Sequence, residues 1–121
     1  MASKMDAPKL FDEGKELVAQ AEAELAAGNF DKCAYLCNQV GDRIVKGCCL
    51  RATGNELTGH SLIFMCRTTS HQYKKLMTVL PDCAFLEPFW SDLEAGEAYK
   101  AVSEADAKKA VASAKKMLTV I

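Results

Sequence analysis

The chain has 121 residues, half of them apolar and 26% charged, which fits a single folded domain over residues 1–121 and excludes disorder, a collagen repeat and a coiled coil. Fifteen Lys and Arg against sixteen Asp and Glu leave a formal charge of −1, which excludes a strongly basic nucleic-acid-binding protein but allows a local basic face. No apolar run approaches the roughly 20 residues that span a bilayer, and the first six residues lack the apolar stretch of a signal peptide. The expectation is a soluble, cytoplasmic protein with no membrane association, residues 1–7 forming a candidate flexible lead.

Alternation at period two is absent over any useful length, so the predicted elements are all helical. A first helix is expected over residues 8–27, capped by Asp6, with Pro8 in its first turn and Gly28 as its stop. Phe11, Leu17, Val18, Ala21 and Leu25 form its apolar stripe. Asn29 is the expected cap of a second helix, one face of which carries Cys33, Cys37, Val40, Gly41, Ile44, Val45 and Cys48. So short a link forces the two helices into an antiparallel hairpin.

The segment Thr53-Gly54-Asn55 ends the second helix. A third is expected from about His60 to Leu80, with Leu62, Ile63, Cys66, Tyr73, Leu76, Met77 and Leu80 inward and Pro81 as its break. A shorter helix is expected between residues 82 and 98, with Phe85, Leu86, Phe89, Trp90 and Leu93 as its apolar content. The last helix opens on Ser103 as cap, with Asp106 reaching back. Ala107, Ala110, Val111, Ala114, Leu118 and Ile121 then repeat at helical spacing. The expected fold class is all-α, an antiparallel up-and-down bundle of four to five helices.

Six cysteines invite a disulfide or metal reading. Cys33, Cys37, Cys48 and Cys66 instead recur among apolar residues, where reduced thiols behave as small hydrophobes. Neither a Cys-x-x-Cys nor a His-x-x-x-His pair accompanies His60 and His71, so no metal or other cofactor is expected.

Gly-rich phosphate loops, Gly-x-Ser-x-Gly elbows and His-Glu-x-x-His pairs are all missing. Two polar arrangements remain. On the second helix Asn38, Gln39, Asp42 and Lys46 flank the apolar stripe, with Asp42 and Lys46 in the favourable order for an ion pair. On the third, His60, Phe64, Arg67, His71 and Lys74 share the face opposite the core. Arg67 and His71 lie one turn apart, a spacing at which an Arg holds a phosphate while a His moves a proton. Phe64 on that face wants a partner. A solvated surface, a partner interface and a ligand site all fit this face.

Several ordered segments resemble one known family. Residues 25–35, Leu-Ala-Ala-Gly-Asn-Phe-Asp-Lys-Cys-Ala-Tyr, resemble the opening hairpin of HEPN-domain proteins. Residues 39–47, Gln-Val-Gly-Asp-Arg-Ile-Val-Lys-Gly, are similar to that family's second-helix pattern, and Thr58-Gly59-His60-Ser61-Leu62 looks like its Thr-x-His-x-Leu entry to the third helix. Ser103-Glu104-Ala105-Asp106-Ala107 resembles the start of its final alanine-rich helix.

The resemblance implies a helical bundle that forms homodimers and binds a nucleotide, an RNA or a protein partner. It also implies a minimal nucleotidyltransferase as companion in toxin–antitoxin modules. Carried over by position, Gln39, Asp42, Lys46 and His60 match the family's recurring polar residues and become the expected ligand-binding set. Asp42 stands where the family has Glu.

Catalytic members place an Arg and a His, four to six residues between them, near the start of the last helix. Here residues 89–99, Phe-Trp-Ser-Asp-Leu-Glu-Ala-Gly-Glu-Ala-Tyr, contain neither and are acidic, which repels a phosphodiester. The expectation is therefore a binding module without a catalytic motif. A divergent, metal-independent ribonuclease using Arg67 and His71 is the first alternative. The second is an interaction scaffold with Phe64, Phe89 and Trp90 at a subunit interface.

Overall fold

In the computed structural model, which describes residues 6–121, five α-helices and three short 3-10 turns carry the chain, and no strand occurs among the described residues. Asp6 opens the first helix, α1 (Ala7–Ala26), its Oδ1 accepting from the Lys9 amide at 2.9 Å. Of the lead expected over residues 1–7, residues 1–5 lie outside the described residues. Asp6 and Ala7 are part of the α1 N-terminus, the latter buried against the core, because the cap bond fixes them.

A three-residue link leads into α2 (Phe30–Thr53), and the two helices pack as an antiparallel hairpin. Asn29 occupies the cap position without capping through its side chain, because its Nδ2 donates instead to Glu24 at 3.1 Å. Gly54, at φ 73°, closes α2 in the left-handed conformation that glycine adopts without strain. Cys33, Cys37, Val40, Ile44, Val45 and Cys48 are all fully buried along α2, as the periodicity requires.

The single third helix expected over residues 60–80 is three elements. The first, α3 (Leu62–Ser70), is capped by Ser61, whose Oγ accepts from the Phe64 amide. It ends where Ser70 Oγ turns to the Arg67 carbonyl at 2.7 Å and the Gln72 and Tyr73 amides both close onto Thr69. A 3-10 turn (Lys74–Val79) follows, then α4 (Leu80–Leu86). Pro81 therefore starts α4 rather than breaking a helix, since its missing N–H costs nothing in a first turn.

The break also moves Met77 outward, to 57% exposure, whereas Leu76 is fully buried. The helix expected between 82 and 98 likewise ends at Leu86, followed by a 3-10 turn (Glu87–Phe89) and a non-helical stretch to Val102. Pro88 within it supplies no amide to a helical ladder. The last helix, α5 (Glu104–Met117), starts as expected with Ser103 Oγ accepting from the Asp106 amide at 3.1 Å. Only this half of the capping box is formed among the described hydrogen bonds.

Packed centrally, α2 contacts α1, α3, α4 and α5. Its glycines let neighbours approach closely: a Cβ at Gly47 would meet the Phe11 ring at 2.6 Å. All six cysteines are free and buried. No helix among the described residues is long and apolar enough to cross a membrane.

Candidate functional site

A chain of polar side chains runs along one edge of α2 and ties it to the end of α4. Asn38, 1% exposed, donates from Nδ2 to the Leu86 carbonyl at 2.9 Å. Its Oδ1 accepts from Gln39 Nε2 at 3.1 Å, and Gln39 Oε1 accepts from Arg43 at 3.4 Å. Arg43 also pairs with Asp42 and, through Nε at 3.1 Å, with Glu13 of α1. Asp42 takes Lys46 on its other oxygen at 2.8 Å. With its side chain 7% exposed, Asp42 is thus a buried carboxylate neutralised by two cations.

A second wall faces this edge. The Glu87 carboxylate accepts from Ser61 Oγ and from the Ile63 amide, so the end of α4 is tied to the start of α3. That tie brings His60 and Trp90 together, their rings stacked with centroids 4.2 Å apart and planes 21° apart. Beyond Trp90, the turn formed by residues 92–97 is held by Asp92 Oδ1, which accepts from the Ala95 amide, and by Glu97, which accepts from the Asp92 amide at 2.7 Å. The far end of the segment is fixed where the Val102 amide donates to Asp31 at 2.8 Å.

Between the walls lies a cleft of about 320 Å³, lined from α2 by Tyr35, Gln39, Asp42, Arg43 and Lys46. His60 lines it too, with residues 90–94 opposite. That volume stands at the small end of ligand pockets, roughly 300–1,000 Å³, and suits one small molecule. Burial, and after it the phenol of Tyr99, whose ring lies 5.3 Å away, push Tyr35 above its ordinary value of 10.0. Tyr35 therefore enters the cleft as a neutral hydroxyl.

All four residues of the expected ligand set, Gln39, Asp42, Lys46 and His60, line this one cleft. Arg67 and His71 do not line it: both are exposed, Arg67 within α3 and His71 at its C-terminal cap, where the helix is already ending. Of the three residues expected at an interface, Phe64 is 66% exposed. Phe89 is half-buried, edge-on to Phe85 at 5.4 Å, and Trp90 is half-buried against His60.

Sequence reasoning missed Arg43, Tyr35 and the acidic residues Asp92 and Glu94 as parts of the site. Arg43 stands four residues from Gln39 and so shares its face, a signal that was present. The approach of residues 91–94 depends on the Asn38–Leu86 and Glu87–Ser61 ties, for which local sequence carries no signal. No group of three or more His, Cys, Asp or Glu side chains among the described residues is arranged to hold a metal ion.

Residues 7–121 match the family model described as the HEPN domain. The chain belongs to the HEPN family. Among solved structures, TT1696 from Thermus thermophilus is similar at a TM-score of 0.79, with 18% identity over 94% of both chains. The archaeal HEPN homologue ST0689 is similar at 0.73, also with 18% identity, over 96% of this chain and 94% of that one. At such identity the likeness to these two structures is one of fold. No curated protein matches the chain.

Proposed function

We propose that this HEPN protein is a binding module that holds a nucleotide in the cleft between α2 and residues 90–94. The base packs against the His60–Trp90 ring pair, and no phosphodiester is cut. The observation that carries this reading is the convergence of Gln39, Asp42, Lys46 and His60 on a single cleft that is also lined by the stacked His60–Trp90 pair. Aromatic faces hold bases of any sequence by stacking, while side-chain amides and carboxylates supply orientation.

A phosphodiester reaction needs a cation free to steady the phosphate and a group placed to move a proton. In this cleft Arg43 and Lys46 are already engaged by Asp42. Arg67 and His71, the residues a ribonuclease reading would use, lie outside it. Incubating RNA with the wild type and with an Arg67→Ala, His71→Ala variant, in chelator, tests this directly. The expected result is no cleavage by either protein. Cleavage lost in the variant would place a ribonuclease centre at the end of α3 and overturn the reading.

Binding is tested by calorimetric titration of AMP into the wild type and into Lys46→Ala, with folding checked by circular dichroism. Lys46→Ala should weaken binding while leaving the helical signal intact. Equal affinity in both proteins would remove Lys46 from the site.

The exposed Phe64 favours a subunit contact as a second element of the reading, either between copies of this chain or with a nucleotidyltransferase companion. A mass that rises with concentration in the wild type but not in Phe64→Ser supports the homodimer. A strict monomer across the micromolar range removes it.

A further inference from the structure

The charge on the two walls of the cleft narrows the ligand class, an inference that rests on the nucleotide reading above. Lining the cleft are three carboxylates, Asp42, Asp92 and Glu94, against two cations, Arg43 and Lys46. Both cations belong to Asp42, and Arg43 is shared further with Glu13. The wall facing them, residues 90–94, contains no Lys or Arg at all. A triphosphate at this site would find both cations already paired with a buried carboxylate while its own charge lay near Asp92 and Glu94. A group rich in N–H donors meets the opposite situation.

A second observation, independent of charge, also points to a polar ligand group. Ser91 lines the cleft, is 1% exposed, and its Oγ has no hydrogen-bond partner among the described residues. Buried hydroxyls are almost always partnered, so one left without a partner beside a cleft is a place where a ligand atom completes the bonding. Its neighbours extend the acceptor surface. Asp92 commits Oδ1 to the Ala95 amide, leaving its second oxygen, and Glu94 is exposed at the rim.

We infer that the cleft selects a nucleoside whose base carries an exocyclic amine, such as adenosine or cytidine, and disfavours nucleoside triphosphates. The amine donates to the carboxylate wall and to Ser91 Oγ while the base packs against the aromatic pair. The sugar, with whatever it carries, is left toward solvent. Uridine, with a carbonyl where cytidine has its amine, brings an acceptor to the Asp92 and Glu94 carboxylates, which have no hydrogen to donate, and binds more weakly.

Calorimetric titrations of the whole protein with adenosine, cytidine, uridine, AMP and ATP test the assignment. Adenosine and cytidine should bind about tenfold tighter than uridine, since a site built for a donor penalises an analogue lacking it. ATP should bind about tenfold weaker than adenosine, and that gap should shrink with added salt. In an Asp92→Asn, Glu94→Gln variant, whose changes sit on the cleft's outer wall, the adenosine–ATP gap should close. Ser91→Ala should weaken adenosine and leave the ATP-to-adenosine order unchanged.

ATP binding as tightly as adenosine in the wild type, or a gap unaffected by the double variant, overturns the inference while nucleotide binding stands. Absence of binding by every nucleoside and nucleotide overturns both the inference and the reading on which it rests.

Discussion

The imidazole of His60 lies on the indole of Trp90 at a centroid separation of 4.2 Å, joining the chain just before α3 to the chain just after α4. Both rings line the cleft, and Trp90 is the protein's sole tryptophan. Aromatic pairs of this kind are worth about 0.5–1.5 kcal/mol beyond the area they bury. A double-mutant cycle on His60→Ala and Trp90→Ala, read by urea unfolding followed by circular dichroism, should return a coupling energy in that range. Additive single effects would mean that the stack contributes shape only.

The Asn38 side chain decides where the second wall hangs. Removing it in Asn38→Ala leaves the Leu86 carbonyl without its buried donor and Gln39 Nε2 without its acceptor. A loss of about 1–3 kcal/mol is expected in urea unfolding, the usual cost of orphaning buried polar groups. AMP affinity should fall with it even under conditions where the variant is fully folded, because residues 87–94 are then no longer fixed to α2. Unchanged affinity would show that Glu87 alone positions that wall.

Gly47→Ala sets two effects against one another. Alanine in a helix interior is favoured over glycine by about 1 kcal/mol. The added Cβ, however, would stand 2.6 Å from a Phe11 ring atom, and the ring is 2% exposed with Arg51 over its outer face at 4.5 Å. Overpacking of this sort costs about 1–3 kcal/mol, so net destabilisation of up to about 2 kcal/mol is expected in thermal or urea melts. Gly14→Ala is the contrast. Its close neighbour is the Cδ1 tip of Ile44, the far end of a flexible side chain, so the helix gain is only partly offset and stabilisation of up to about 1 kcal/mol is expected.

The buried thiols predict a dependence on alkaline pH. Burial is the main cause that pushes Cys48 from its ordinary 9.0 up to about 12, and it drives Cys33 and Cys37 upward as well. The folded state thus holds these protons where the unfolded chain releases them. Stability from this source is complete below about pH 9 and declines as pH rises toward 12, because the unfolded state then binds fewer protons. Urea midpoints should fall between about pH 8 and about pH 11, and iodoacetamide should label the thiols near pH 8 only once the protein is unfolded. Rapid labelling of the native protein would contradict their burial.

Much of this was legible in the sequence. Elements α1, α2 and α5 announce themselves through punctuation that acts locally: Asp6, Gly28, Gly54 and Ser103 cap or stop helices by bonds to their immediate neighbours. Fixed helical spacing then carried Gln39, Asp42 and Lys46 to one edge. The region from 60 to 98 is less legible, because the local turn at Ser70 is held open by a distant partner. Tyr73 leaves the helical path to give its hydroxyl to the Val120 carbonyl at 2.6 Å, a bond to the far end of the chain. Pro81 is ambiguous by nature, since the same ring that ends one helix begins the next. For the site, the aromatic and acidic wall was visible as composition but not as location.

The two walls of the cleft are also unequal in what they permit. On the α2 side, Asp42 and Arg43 belong to the polar network that packs that helix against α1, and Asn38 beneath them anchors α4. A substitution there disturbs the framework along with the pocket. Leu93 and Glu94 on the facing wall sit exposed in a turn, held at its base by backbone and carboxylate bonds that do not involve their own side chains. The surface of the turn can therefore be changed by substitution at Leu93 or Glu94 while the helix facing it stays the same.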